Sequence, residues 1–296
     1  VKTNEAKSAN GIVTPGQESA SEVSRRTFFK RSAAIGATGL IAAGGLSTLA
    51  SAATSNPILK LAASATPNTS SGGLAVKDRI ILVAAEIAEA LAVTTYSNII
   101  NTAPFFTRLE SDDQGYLQGA LQEEMSHYLL EQSVTKQDTP FTSFYYPMNM
   151  FADAQTTLNT LVTLEDAFIA AYLVGVRDFS TLELRVSSAR IMGIESDHRT
   201  LARVLAPGVA AQDGGPIEMI TGLSGVPESV DPPNNNGYER TACWSHIDQA
   251  VAALLPFVDA TAAAGAGFDT SKTYSFVPFT PTLPNPLGDF VSFSGC

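Results

Sequence analysis

Between residues 78 and 206, apolar positions recur at the three- and four-residue spacing of helices in four long stretches. The first, Asp78 to Asn101 (DRIILVAAEIAEALAVTTYSNIIN), stops short of Pro104, because a proline disfavours helical backbone in the residue ahead of it. The second opens at Ser111-Asp112-Asp113-Gln114, which reads as a capping box with two carboxylates facing the positive helix end, and runs to about Gln132. The third spans Phe151 to Val176. The fourth opens at a second such box, Ser180-Thr181-Leu182-Glu183, and is expected to end ahead of Pro207-Gly208. Val134 to Met150, with Pro140, Pro147 and the aromatic residues Phe141, Phe144, Tyr145 and Tyr146, is too long for a tight turn and suits a crossover; the other two joins are short. Helix pair, crossover, helix pair predicts an all-α chain built on a four-helix bundle, with the long crossover between helices 2 and 3.

The flanks have a different texture. Ser24-Arg25-Arg26-Thr27-Phe28-Phe29-Lys30, a mild Ala/Gly-rich apolar run from Ala33 to Ala50 and then Ala50-Ser51-Ala52 read as a twin-arginine export signal with a small-x-small cleavage site, not as a permanent membrane helix. The expected division is therefore a signal peptide at 1–52, a flexible leader at 53–75, the bundle at 76–206 and a Pro/Gly-rich C-terminal extension at 207–296. That extension carries one further helix from about Glu239 to Ala264 and ends in extended chain packed against something. The expected location is the periplasm, cell envelope or exterior, with membrane contact only through an uncleaved signal.

Composition narrows the chemistry. With 45% apolar and 16% charged residues, the 296-residue chain is not intrinsically disordered as a whole. A net charge of −11 argues against a nucleic-acid partner, since neutralising phosphates takes cationic side chains. Two cysteines, Cys243 and Cys296, are too few for a thiolate metal site, so any metal is held by oxygen and nitrogen; outside the cytoplasm the pair is a candidate disulfide.

Of the three histidines, two lie three residues after a glutamate, in Glu124-Met125-Ser126-His127 and Glu195-Ser196-Asp197-His198. At that spacing both side chains share a helix face and can grip one cation. Each motif is preceded by a helix with a mid-length glutamate on an apolar stretch, Glu89 (with Glu86 on the same face) and Glu165. Glu89 is preferred over Glu86 because Tyr96 follows it by seven residues, as Tyr172 follows Glu165, making the two halves look like repeats. The separations Glu89 to Glu124 and Glu165 to Glu195 match a path up one helix and down the next to the same height. Four carboxylates and two imidazoles form a set that holds two first-row divalent ions. Glu123, Asp166 and Asp197, turned about 100° from the ligands, read as solvated or supporting groups. Tyr96 and Tyr172 read as core aromatics rather than hydrogen-bond donors, and His246 as structural.

With these residues in view, the stretch from about 76 to 206 resembles the ferritin-like domain of bacterial exported and desiccation-related proteins. The resemblance rests on Glu89 with Tyr96, Glu124-Met125-Ser126-His127, Phe151-Ala152-Asp153, Leu164-Glu165-Asp166 with Ala171-Tyr172, and Glu195-Ser196-Asp197-His198. Helix one departs from it, with Ala90-Leu91-Ala92-Val93 where relatives often carry further acids and aromatics. The resemblance implies two iron or manganese ions, with Glu124 and Glu195 bridging at the catalytic centre, Glu89 and Glu165 terminal, and His127 and His198 one on each ion. It further implies O₂ or peroxide as partner, with ferroxidase or catalase-like oxidoreductase activity in stress protection. Two other readings stand beside it: a non-catalytic, self-assembling envelope protein, a homo-oligomer with structural metal, and a metal-free bundle whose glutamates pair with Arg185, Arg190, Arg199 or Arg203.

Overall fold

A computed structural model describes residues 74–213 and 243–282. The export signal, most of the leader, the Gly/Pro/Asn segment before Cys243, and Cys296 lie outside the described residues; Cys243 is exposed. The chain is mostly helical: α1 (Val76–Thr102), a short 3₁₀ turn (Phe106–Arg108), α2 (Ser111–Thr135), β1 (Ser143–Pro147), α3 (Ala154–Asp178), α4 (Leu182–Asp213), α5 (Ile247–Val258), α6 (Ala260–Gly265) and β2 (Phe268–Ser275). α1 packs along α2 and α3 along α4, and the pairs meet through α1 with α3 and α2 with α4.

α1 is apolar around its whole circumference and buried around it, from Ile81 to Tyr96 with a break only at Ala85. It touches α2, α3 and α5. Both α1 and α3 are long and apolar enough to cross a membrane, yet most of each helix is buried against protein. At its start, Asp78 accepts hydrogen bonds from Ser180 N (2.9 Å) and from the Ser180 hydroxyl, tying α1 to the α3–α4 turn.

Both expected capping boxes give way to other arrangements. Helix α2 has Glu110 at its N-cap with no side-chain cap, and the Gln114 amide donates to Leu109 O (2.8 Å) instead. In α4 the Ser180 hydroxyl is committed to Asp78, so Thr181 Oγ1 accepts from Leu184 N (3.3 Å). α3 starts at Ala154, later than expected, because Asp153 caps it by accepting from Thr156 N at 2.8 Å. α4 does not stop ahead of Pro207 but runs to Asp213. A proline removes one backbone donor and strains the turn before it, which need not end a helix already propagated over many residues.

The crossover is not free chain. Its β1 strand pairs antiparallel with β2, Phe144 opposite Tyr274 and Pro147 opposite Phe268, with an irregularity between Phe144 and Tyr146. Tyr146 points inward, its hydroxyl 2.9 Å from Thr95 Oγ1 and donating to Leu91 O (3.3 Å), and its ring packs on Phe151, Phe257 and Tyr274. The extended C-terminal segment expected to pack on something thus packs on the crossover, and Phe276 continues onto Tyr128 of α2 (centroids 4.9 Å apart). The single helix expected from Glu239 to Ala264 is instead α5 and α6, broken at Asp259, whose extended backbone and side chain cap α6. His246 caps α5 reciprocally with Gln249, a structural role as expected.

α3 and α4 approach closely at Gly175, where an added Cβ would meet the Ser188 hydroxyl and lie 2.9 Å from the Phe179 ring. Gly175→Ala is expected to lower stability by about 1–3 kcal/mol through overpacking, outweighing the ~1 kcal/mol that alanine gains over glycine in a helix. Gly115→Ala in α2, with nothing within 4 Å of the new Cβ, should keep that gain and raise the midpoint of thermal unfolding.

Candidate metal centre

Each helix of the two pairs delivers its acid at mid-length. Glu89 comes from α1, Glu124 and His127 from successive turns of α2, Glu165 from α3, and Glu195 and His198 from successive turns of α4. All four glutamates are fully buried and both histidines nearly so. One ligand atom from each of Glu89, Glu124, His127 and Glu195 falls within 4.8 Å of the others, and the same holds for Glu124, Glu165, Glu195 and His198. The two quartets share Glu124 and Glu195.

The histidines reach across between α2 and α4. His127 Nδ1 lies 3.2 Å from Glu195 Oε1 and 3.6 Å from Glu89 Oε2 and Glu124 Oε2. His198 Nδ1 lies 2.8 Å from Glu124 Oε1 and 3.5 Å from Glu195 Oε2. Close as they are, these atoms are poorly aimed at one another. Both oxygens of Glu124 and Glu195, Oε2 of Glu89 and Glu165, and Nδ1 of both histidines make no hydrogen bond. Each buried polar atom left unpaired costs about 1–3 kcal/mol, and eight of them around two shared carboxylates are compatible with a metal site.

The surrounding groups hold these ligands in place. Tyr96 of α1 donates to Glu165 Oε1 of α3 (2.7 Å), and Tyr172 of α3 donates to Glu89 Oε1 of α1. Each tyrosine therefore serves the glutamate of the opposite helix, where sequence suggested core aromatics on the face of their own. Glu123 sets its carboxylate 2.9 Å from His198 Nε2, leaving Nδ1 to face the cluster. Asp166 is buried and paired with Arg199 at 2.7 Å, bracing α3 against α4, whereas Asp197 is exposed.

Two buried acids sit beside the six. Glu86 is held by the Thr135 hydroxyl and lies outside both quartets. Glu131, which the sequence reading missed, accepts from Tyr172 at 2.8 Å and keeps Oε2 unpartnered. Its signal was available, since it follows Glu124 by seven residues and His127 by four, on one face of α2.

Burial raises the carboxyls of Glu89 and Glu165 well above the usual range, reinforced by neighbouring glutamates. Burial also disfavours charge on His127 and His198, but the carboxylates around them prevail and hold both well above an ordinary imidazole. Glu124 goes the other way: the imidazoles outweigh its burial and lower it. Burial pushes Glu86 from 4.5 up to about 7.

A group raised on folding stabilises the protein fully below its unfolded value and loses that contribution as pH rises through the folded value. For Glu86 the window runs from 4.5 to about 7. Metal-stripped protein is expected to lose stability across it, by on the order of 3 kcal/mol from this group. Glu86→Gln should flatten that slope in urea titrations at pH 5, 6 and 7.

Residues 77–207 match the family model of the ferritin-like domain. No curated protein matches the chain, and no solved structure does. Residues 77–207 are thus similar to a ferritin-like domain over the part of the chain that supplies the carboxylate and histidine cluster.

Proposed function

We propose that this chain is an exported ferritin-like protein that binds two iron or manganese ions and turns over O₂ or peroxide. Its four long helices act as a four-helix bundle, and α5, α6 and β2 of the C-terminal extension pack against it. The observation that carries this reading is the pair of overlapping quartets sharing Glu124 and Glu195, whose four carboxylate oxygens have no hydrogen-bond partner.

Glu89 and His127 hold one ion, Glu165 and His198 the other, and Glu124 and Glu195 span both. Four carboxylates balance two M²⁺, so the buried centre is near neutrality when loaded. A carboxylate-bridged pair of such ions supplies one-electron chemistry toward O₂ or peroxide. The protein's part is positional. Tyr96 and Tyr172 fix the free rotation of Glu165 and Glu89, Glu123 fixes the His198 ring, and the burial of all six groups keeps bulk water from the cluster.

Protein purified from its own host is expected to carry close to two iron or manganese ions per chain by elemental analysis. Replacing Glu124 and Glu195 together by Gln should abolish both. Tyr96→Phe and Tyr172→Phe should weaken affinity by about 10–100-fold, as loss of a ligand's supporting hydrogen bond does. Turnover is checked by O₂ and peroxide consumption on Fe(II) or Mn(II) loading. Bound metal without consumption would overturn the catalytic part of the reading and leave a metal that only stabilises the fold.

A further inference from the structure

A cavity of about 230 Å³ lies beside the cluster, walled by apolar side chains of α1 to α5. Its lining includes Tyr172 and Glu131, the pair that connects to Glu89 by hydrogen bonds. The exposed Glu183 and half-buried Ser187 mark its open side. Two features set it apart from a packing defect. An apolar cavity of about 150 Å³ already holds benzene, so this one has room for about ten heavy atoms. Glu131, only 2% exposed, lines the cavity with a carboxyl whose Oε2 has no hydrogen-bond partner.

We propose that this cavity binds a small neutral aliphatic molecule carrying one hydroxyl, its chain among the apolar walls and its hydroxyl on Glu131. A hydroxyl both donates and accepts, so it pairs with the Glu131 carboxyl in either protonation state. An anionic head group is rejected, since it would be desolvated among Glu131, Glu86 and the cluster carboxylates. The occupant would lie against the Tyr172 hydroxyl, one side chain away from Glu89. The site stands on the cavity and Glu131 and does not depend on the metal reading.

Trp244 lines the cavity and is the chain's single tryptophan, so its fluorescence reports occupancy directly. The full chain as purified is titrated with 1-octanol, with 1-chloroheptane (a chain of similar size that neither donates nor accepts well) and with octanoate. The expected result is a saturable change with 1-octanol, an affinity about three- to tenfold lower for 1-chloroheptane, and no saturable change with octanoate. That ratio is the worth of one hydrogen bond. Glu131→Leu should erase the preference for the alcohol, and Ala85→Leu, which fills the cavity from α1, should abolish the response while circular dichroism stays unchanged. No saturable response to 1-octanol, or equal responses to all three compounds, overturns the proposal on the wild-type protein alone. So does a response that a folded Ala85→Leu leaves intact. Metal content measured on the same samples separates failure here from failure of the metal reading.

Discussion

Four carboxylates are buried side by side in the middle of an apolar helix assembly, and much of the structure answers to that constraint. Taking even one carboxylate out of water costs several kcal/mol unless it is paired. Hydrogen bonds from Tyr96 and Tyr172 satisfy one oxygen each on Glu165 and Glu89, and the two imidazoles lie against the rest. Six orphaned carboxylate oxygens remain on these four residues. Protein groups alone leave that balance open, which is the setting of a metal site. Retaining mid-helix acids in α1 and α3, otherwise among the most apolar stretches of the chain, is hard to account for as stability alone.

The two halves are near-repeats that exchange support. Each tyrosine crosses from its own helix to the glutamate of the other, so neither half positions its ligands by itself. The halves also depart from the repeat. Glu131 and Glu86 have no counterparts seven residues after Glu195 or three before Glu165, where Ala202 and Val162 stand. The acids, the cavity and Tyr172 gather at one end. The opposite quartet has Glu123 behind His198 and Tyr96 edge-on to its ring at 5.7 Å. One end is closed by supporting contacts, and the other adjoins space.

What was legible in the sequence follows from periodicity. Glutamate and histidine three apart share a face of any helix, and a separation that matches one helix up and the next down brings each pair to a similar height, so the six residues could be named together from spacing. The +7 interval likewise put Tyr96 and Tyr172 on the right faces. It could not say which glutamate they serve, because that depends on how α1 and α3 are set against each other. Capping failed for a related reason: Ser180 has the residue type for an N-cap but finds a stronger acceptor in Asp78, about a hundred positions away. Pairing of β1 with β2 was equally invisible, since short strands separated by more than 120 residues carry no local record of one another. Pro207 misled because a breaker's local cost was weighed without the helix around it.

The crossover connects these levels. The segment between α2 and α3 is long, and a bare stretch of chain there would expose apolar α1. Instead Tyr146 packs its ring on Phe151, Phe257 and Tyr274 while its hydroxyl meets Thr95 and Leu91 O, both between Glu89 and Tyr96 on α1. Thr95 has already committed its own hydroxyl proton to Leu91 O (2.8 Å), so the three groups lock the α1 backbone between the first ligand and the tyrosine that holds Glu165. Residues from beyond the ferritin-like match, Phe257 and Tyr274, complete that contact. Phe257 and Tyr274 therefore help to fix α1, the helix that carries Glu89.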